Sequence, residues 1–193
     1  MAGAAPPSCD DFRMSYEIRP VRAAEWREIR DLRMYALQDE MAPLAFLSTH
    51  EEESAYSDEF WRERARTSSV DFGPEAVARQ FVAVAGDGEW AGTTVTLIER
   101  AGQQDFEGRT IEHDGAHVVG VYLRPEHRGS GVIDGLFDAA LGWAREGGLD
   151  RARLLVHRDN PRAQGAYRRQ GFVPTGIAFT GKMGPELEMA REL

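Results

Sequence analysis

The chain has 193 residues, of which 42% are hydrophobic and 28% charged, and its 23 basic and 32 acidic residues give a formal net charge of −9. This length fits one domain with a self-sufficient core better than two domains. The negative charge disfavours broad nucleic-acid binding, and no apolar run reaches the roughly 18 residues of a membrane span. The single Cys9 excludes an intrachain disulfide framework and fits a reducing cytoplasm, and no Cys/His cluster has zinc spacing, so no metal is expected.

The first half of the chain alternates between helical and strand periodicity. Residues 1–14 show no period and are expected to form a disordered leader, with Met14 as an alternative start, before one domain over residues 15–193. Hydrophobic spacing and β-branched residues predict the elements that follow. In chain order these are a strand over 16–21, helices over 26–37 and 51–67, strands over 81–85 and 90–99 joined by a Gly86-Asp87-Gly88 turn, and a loop over 100–115.

The second half begins with a near-continuous apolar run over residues 117–123, which is typical of a strand buried on both faces. Gly120 within it predicts either a bulge or close packing against a helix. The remaining predicted elements are a helix over 131–146, a strand over 153–157, a helix over 161–170, and strands over 172–179 and 187–191. This order predicts an α/β fold: one domain with a mixed central sheet of about seven strands and about four helices. The strand–helix–strand unit over 117–157 is expected to be a right-handed parallel crossover.

The turn between that buried strand and the next helix can bind an anion. It reads Arg124-Pro125-Glu126-His127-Arg128-Gly129-Ser130-Gly131-Val132-Ile133. Two glycines let several N–H groups point at one group, and the helix adds the positive end of its dipole. A pyrophosphate suits this site, although a plain turn explains the same residues. The Gly-Lys-Ser/Thr ending of a Walker loop is absent.

Two segments together resemble the GNAT superfamily of N-acetyltransferases. The pattern Leu-x-Pro-x-x-Arg-Gly-x-Gly over residues 123–131 is similar to that family's acetyl-CoA loop. The pattern Asn-x-x-Ala-x-x-x-Tyr-x-x-x-Gly-Phe over residues 160–172 is similar to its second signature. The resemblance covers roughly residues 16–193. One departure is Ile133, which stands where the family usually has Gly or Ala.

The resemblance implies that acetyl-CoA lies in a splay between the strands over 117–123 and 153–157. Its pantetheine arm would pair with the backbone near Val121 and Leu123. Asn160 would contact the cofactor or the substrate, although Asn before Pro also favours a plain helix N-cap. The residues implied to hold the pyrophosphate are Arg128, Gly129, Ser130, Gly131, Val132 and Ile133. Ile133 is expected to weaken or shift this binding, unless its side chain turns into the core and leaves its N–H available.

The resemblance also implies direct transfer of the acetyl group to a primary amine. Tyr167 lies two helical turns after Asn160 on the same face and would be the general acid. His117 occupies the position of the usual basic carboxylate and is a candidate base, with a structural histidine as the alternative and Glu112 and Glu99 as further candidates.

Several functional alternatives stay open at this point. The acceptor is expected to be a small-molecule or protein amine, and the acidic surface favours a cationic one. A non-catalytic acyl-CoA-binding module is the alternative function, because of Ile133 and the missing carboxylate at position 117. Nucleic acid and membranes are not expected partners, and the terminal strands would allow a homodimer.

Overall fold

The computed structural model describes residues 15–193. It contains a seven-stranded mixed sheet with the strand order β1-β2-β3-β4-β5-β7-β6. The predicted leader over residues 1–14 lies outside the described residues. The strands are β1 Tyr16–Pro20, β2 Ala78–Ala85, β3 Trp90–Glu99, β4 Gly115–Leu123, β5 Arg151–His157, β6 Val173–Gly181 and β7 Gly184–Glu192. The predicted α/β class and mixed sheet are confirmed.

Within residues 15–193, five α-helices accompany the sheet, one more than predicted. They are α1 Trp26–Ala36, α2 His50–Ser54, α3 Asp58–Ser68, α4 Val132–Glu146 and α5 Pro161–Arg169. The prediction of one helix over 51–67 is wrong, because the Ser57 hydroxyl accepts from the Phe60 N–H at 3.2 Å and caps a new helix there. None of the helices in residues 15–193 is long and apolar enough to cross a membrane.

The sheet is buried on both faces, and alternate residues of β2 contribute to different core clusters. Val82 packs in the cluster that holds Trp26 of α1 and Trp61 of α3. Phe81 packs in another cluster, with Leu136 of α4. The two sets of helices therefore lie on opposite faces, with β4 and β5 between them.

β4 and β5 are parallel, as predicted, but they pair only at Ala116 with Ala152 and at His117 with Arg153. Beyond these pairs the strands separate, although β4 continues to Leu123 and β5 to His157. Gly120 has a φ of +59°, and the register between β3 and β4 shifts at this point, so the predicted bulge is present. The bulge and the early end of pairing open a gap in the middle of the sheet.

Gly92 fixes the distance between β3 and the end of β4. A Cβ atom at this position would lie 2.6 Å from the Tyr122 carbonyl oxygen and 2.8 Å from Leu123 Cδ1. We expect Gly92→Ala to lower the free energy of unfolding by about 1–3 kcal/mol in a urea titration, because a backbone oxygen must move. Gly142, inside α4, has no atom within 4 Å of a built Cβ, so Gly142→Ala should instead add about 0.5–1 kcal/mol. Equal effects of the two changes would contradict this close approach.

Candidate functional site

A cavity of about 1090 Å³ opens where β4 and β5 separate. Its wall includes the end of β4, the end of β5, the first turns of α4 and α5, part of α3 and Phe106 of the loop after β3. The cavity thus extends through the gap in the sheet from the N-terminal end of α4, called the head of α4 below, to α3 on the opposite face.

The head of α4 presents backbone N–H groups without acceptors. Gly129 and Gly131 have φ values of +81° and +82°, which favour glycine, and they turn the chain into the helix. Within residues 15–193, none of the N–H groups of residues 129–133 donates a hydrogen bond. A Cβ at Gly129 would meet nothing within 4 Å, so space is open in front of these groups. The arrangement fits a phosphate or pyrophosphate group.

The residues predicted to hold acetyl-CoA divide into two groups. Six of them line the cavity: Val121, Leu123, Arg128, Gly129, Ile133 and Asn160. The side chains of the others point elsewhere. The Ser130 hydroxyl donates to the His127 carbonyl at 2.6 Å, and Val132 is buried in the core against α4 and β2. Ser130, Gly131 and Val132 therefore offer only their backbones.

Arg128 has partners other than a ligand. Its Nε donates to the Leu123 carbonyl at 3.0 Å, and its guanidinium bonds the Asp39 carboxylate at 2.5 Å. The side chain thus ties the end of β4 to the segment after α1, and its charge is already matched.

Ile133 and Asn160 both combine a structural contact with a place on the cavity wall. Ile133 packs partly against the two clusters under α4, which leaves its N–H among the unpartnered groups. The Asn160 side-chain oxygen accepts from the Ala163 N–H at 3.1 Å and caps α5, as its sequence context indicates.

Tyr167 lies on the cavity wall, on the inner side of α5. Its half-buried ring packs edge-on against Phe137 with 5.9 Å between the ring centroids. The hydroxyl makes no hydrogen bond within residues 15–193, and burial raises the pKa of Tyr167 to about 12. The phenol therefore stays protonated at neutral pH and has a free proton to donate.

His117 is fully buried on β4 and bonds Glu99 through Nδ1 at 2.8 Å. Burial would raise the pKa of Glu99, but hydrogen bonds from His117 and Arg153 outweigh burial and lower it to about 2. Because Glu99 is then an acceptor only, Nδ1 carries the hydrogen, and Nε2 is left as an unprotonated nitrogen. Burial lowers the pKa of His117, which keeps the ring neutral.

The Nε2 atom of His117 is buried without a hydrogen-bond partner in the described chain, and Phe106 stacks over the ring at 5.0 Å. The two other candidate bases are placed differently. Both Glu99 oxygens are bonded to His117 or Arg153, and Glu112 is exposed and lies away from the cavity wall. Of the three, only His117 lies on the cavity wall with an unpartnered basic atom, which is itself buried.

Three cavity residues with chemical groups were missed by sequence reasoning. Tyr122 is buried, and its hydroxyl has no partner within residues 15–193. Arg64 lies on the inner side of α3, and Glu186 is 7% exposed on β7. Glu186 and Glu188 alternate with Leu187 and Met189, a pattern that predicts a solvated face. The loop after β3 covers that face instead, which no periodicity indicates.

Three side chains outside the cavity are as close to one another as the ligands of a metal ion. The ligand atoms of Glu89, Glu126 and His127 lie within 4.8 Å of one another. Both ring nitrogens of His127 already have partners, Tyr16 Oη at 3.0 Å and Glu89 at 3.1 Å. The group lies outside the cavity wall.

Comparison with known proteins agrees with these features. A putative [ribosomal protein bS18]-alanine N-acetyltransferase of Bacillus subtilis (strain 168) is 33% identical over 82 residues, 42% of this chain and 54% of that protein. A streptothricin acetyltransferase of Streptomyces lavendulae is 35% identical over 105 residues, 54% of this chain and 50% of that protein. The chain thus spans about half the length of the curated relatives it matches.

A solved structure shares the fold. The GNAT superfamily phosphinothricin acetyltransferase from Sinorhizobium meliloti, in complex with AcCoA, superposes with a TM-score of 0.68 at 19% identity, over 93% of this chain and 89% of that one. The sequence profile of the acetyltransferase (GNAT) family matches residues 11–172. With the separated β4 and β5 strands and the open head of α4, this match shows that the chain belongs to the GNAT acetyltransferase family.

Proposed function

We propose that the protein is an acetyl-CoA-dependent N-acetyltransferase that acts on a primary amine of a small molecule or a protein. The observation that carries the proposal is the continuous cavity, because its wall includes the head of α4, Tyr167 and His117. One end fits a pyrophosphate, and the other end offers a proton donor and a proton acceptor. Family membership and the AcCoA complex of the Sinorhizobium meliloti protein support this reading.

Each residue has a distinct part in the proposed reaction. Acetyl-CoA supplies an activated acetyl group as a thioester. The N–H groups of residues 129–133 hold its pyrophosphate, and the free backbone of β4 beyond His117 faces its arm. His117 takes one proton of the substrate ammonium group at Nε2, and the neutral amine nitrogen bonds the acetyl carbon while the C–S bond breaks. Tyr167 gives its proton to the departing sulfur, and its phenolate then takes the second proton from the acetylated nitrogen.

A pair of assays tests this function. We expect acetyl-CoA to bind saturably in a calorimetric titration, and a panel of primary amines to include acceptors that cause release of free thiol. Binding without thiol release on any amine would favour the non-catalytic acyl-CoA-binding module. No heat at millimolar acetyl-CoA would overturn both functions.

A charge at the head of α4 should weaken acetyl-CoA binding. Gly129→Asp places a carboxylate in front of the free N–H groups, so we expect the Kd for acetyl-CoA to rise at least about tenfold. Gly88 is a matched control, since it has a φ of +90° and nothing within 4 Å of a built Cβ but lies in the β2–β3 hairpin. Gly88→Asp should leave the Kd unchanged, and an equal rise for both variants would argue against a phosphate site at α4.

The pH dependence of kcat should report His117. Because the pKa of His117 lies below its usual 6.5, the ring is neutral at pH 7 and loses its basic form only in more acidic solution. We expect an acid limb below pH 6.5 that is absent from His117→Gln, whose kcat at pH 7 falls about 10²-fold. The same amine and saturating acetyl-CoA in both profiles remove the contribution of the substrate's own ionisation. An unchanged acid limb in the variant would contradict this role.

A further inference from the structure

Two side chains of opposite charge that are not exposed face the cavity without a partner within residues 15–193. They are Glu186 of β7 and Arg64 of α3, and neither takes part in the proton transfers described above. The other charged side chains on the wall that are not exposed are matched: Arg33 pairs with Glu53 at 2.6 Å, and Asp39 pairs with Arg128. Arg162 and Arg169 also lie on the wall but are exposed to solvent. An unmatched charge in a partly desolvated wall is costly unless a ligand completes it.

Glu186 is a buried carboxylate that lacks a cation. Neither of its oxygens accepts a hydrogen bond or forms an ion pair within residues 15–193. The neighbouring Arg109 is bonded to Glu188 at 3.2 Å instead. Burial, and then the nearby Glu107 carboxylate, raise the pKa of Glu186. An ammonium group from a ligand would match both the charge and the hydrogen-bonding capacity of this side chain.

Arg64 is the converse case, a cation that lacks an anion. Its guanidinium makes no hydrogen bond or ion pair in the described chain and lies 5.6 Å from the centre of the Trp61 ring. Glu53, the carboxylate whose charge acts on Arg64, is already bonded to Arg33 and Ser48. Burial, and then the positive charge of Arg33, lower the pKa of Arg64. A carboxylate or similar oxyanion would match it in the bidentate geometry that arginine favours.

The two charges lie on either side of the gap between β4 and β5. Arg64 shares a small side recess with Gly120 and Tyr122, at the bulge of β4. Glu186 is on β7, which lies beyond β5 in the strand order β4-β5-β7. Glu186 is opposite His157, where β4 and β5 have already separated, so β4 and β7 are further apart there than the roughly 10 Å of two paired-strand spacings. A ligand across the gap therefore meets a cation on the α3 side and an anion on the β7 side.

We propose that the acceptor is a small zwitterion, an amino acid-like molecule whose acidic group pairs with Arg64 and whose ammonium group pairs with Glu186 before His117 removes its proton. This rests on the proposed N-acetyltransferase function and specifies its substrate class. A polyamine would satisfy Glu186 but would place a second cation near Arg64, at an electrostatic cost. The charges on the cavity wall thus favour a different acceptor from the one that the net surface charge favours.

The test compares acceptors that differ in one group, on the intact enzyme with acetyl-CoA and a thiol-release assay. One series contains amino acids with one to five carbons between the acid and the amine. For each, the methyl ester removes the negative charge, and the diamine of equal length replaces it with a positive one. We expect the best amino acid to exceed its ester and its diamine at least about tenfold in kcat/KM, as the loss of a charged hydrogen-bond partner implies.

Two variants then assign the preference to residues. Arg64→Met should remove the advantage in kcat/KM of the amino acid over its ester. Glu186→Gln should raise KM for the amino acid and for its ester. Arg62→Met is the matched control on α3, because Arg62 is exposed and lies outside the cavity wall. A preference for esters or diamines, or for protein amines alone, overturns the zwitterion but leaves the N-acetyltransferase function standing. Failure to bind acetyl-CoA overturns both.

Discussion

Tyr167→Phe is expected to lower kcat about 10³-fold while the Kd for acetyl-CoA stays the same. The substitution removes one unpartnered hydroxyl from the cavity wall and keeps the ring contact with Phe137. Because burial raises the pKa of Tyr167 to about 12, the wild-type phenol is protonated throughout the working pH range. The same enclosed wall disfavours a charged thiolate. The proton that Tyr167 donates therefore neutralises the negative charge that develops on the sulfur as the C–S bond breaks. Steady-state kinetics and an acetyl-CoA titration of the variant measure the two quantities.

Two further tyrosines make this result specific. Tyr56 is 41% exposed and outside the cavity wall, so Tyr56→Phe should retain full activity. Tyr122 also has a free hydroxyl on the wall, and burial raises its pKa. A loss in Tyr122→Phe together with normal turnover in Tyr167→Phe would move the general-acid role to β4. Full activity of both variants would leave the reaction without a side-chain acid in this cavity.

The sheet was largely predictable because its strands carry local signals. The apolar run of β4, the β-branched residues of β3 and the Gly86-Asp87-Gly88 turn each act over a few neighbouring residues. The sequence left two interpretations of Gly120, a bulge or close packing against a helix, and the folded chain has the bulge. The break between α2 and α3 was not predictable, because Ser57 competes with a continuous amphipathic pattern, and its capping bond decides the outcome only in three dimensions.

The site was predictable where it depends on backbone and less so where it depends on charge. The glycines before α4 and the position of Tyr167 follow from spacing along the chain. The partners of charged groups do not: Arg128 binds Asp39, from a segment far away in the sequence, and its guanidinium has no free charge to offer. Likewise, nothing local distinguishes the unmatched Glu186 from Glu188, which the folded chain pairs with Arg109 and Arg153.

A buried network of ion pairs lies close to Glu186. Arg153 of β5 donates to Glu99 at 2.7 Å, to Asp105 at 3.0 Å and to Glu188 at 3.1 Å. These contacts join β3, β5, β7 and the loop that carries Phe106 over His117. The network therefore fixes both the Nδ1 partner of the proposed base and the cover over the cavity.

Arg153→Met is expected to destabilise the protein by about 3–5 kcal/mol, because it leaves several buried carboxylates without their cation. The loss should show in urea denaturation at pH 7. Its pH dependence follows from Glu99, whose pKa of about 2 lies below the ordinary value of about 4.3. A lowered folded-state pKa stabilises the fold above the unfolded value, and that stability is lost as the pH falls from about 4.3 towards 2. Arg153→Met should lose much of this pH-dependent stability. The difference in the free energy of unfolding between the wild type and the variant should therefore narrow in acid.

Arg66 provides a control in which only the environment of the ion pair differs. Arg66 and Glu63 are 2.7 Å apart, the same distance as Arg153 and Glu99, but their side chains are 54% and 56% exposed, against 9% for both members of the buried pair. Water screens the surface pair, so Arg66→Met should cost no more than about 1 kcal/mol. Equal losses in the two variants would mean that burial does not set the strength of the Arg153 network. A nearly neutral Arg153→Met would mean that water or a shift of the loop after β3 satisfies the three carboxylates, and Phe106 would then not be held over His117 by this network.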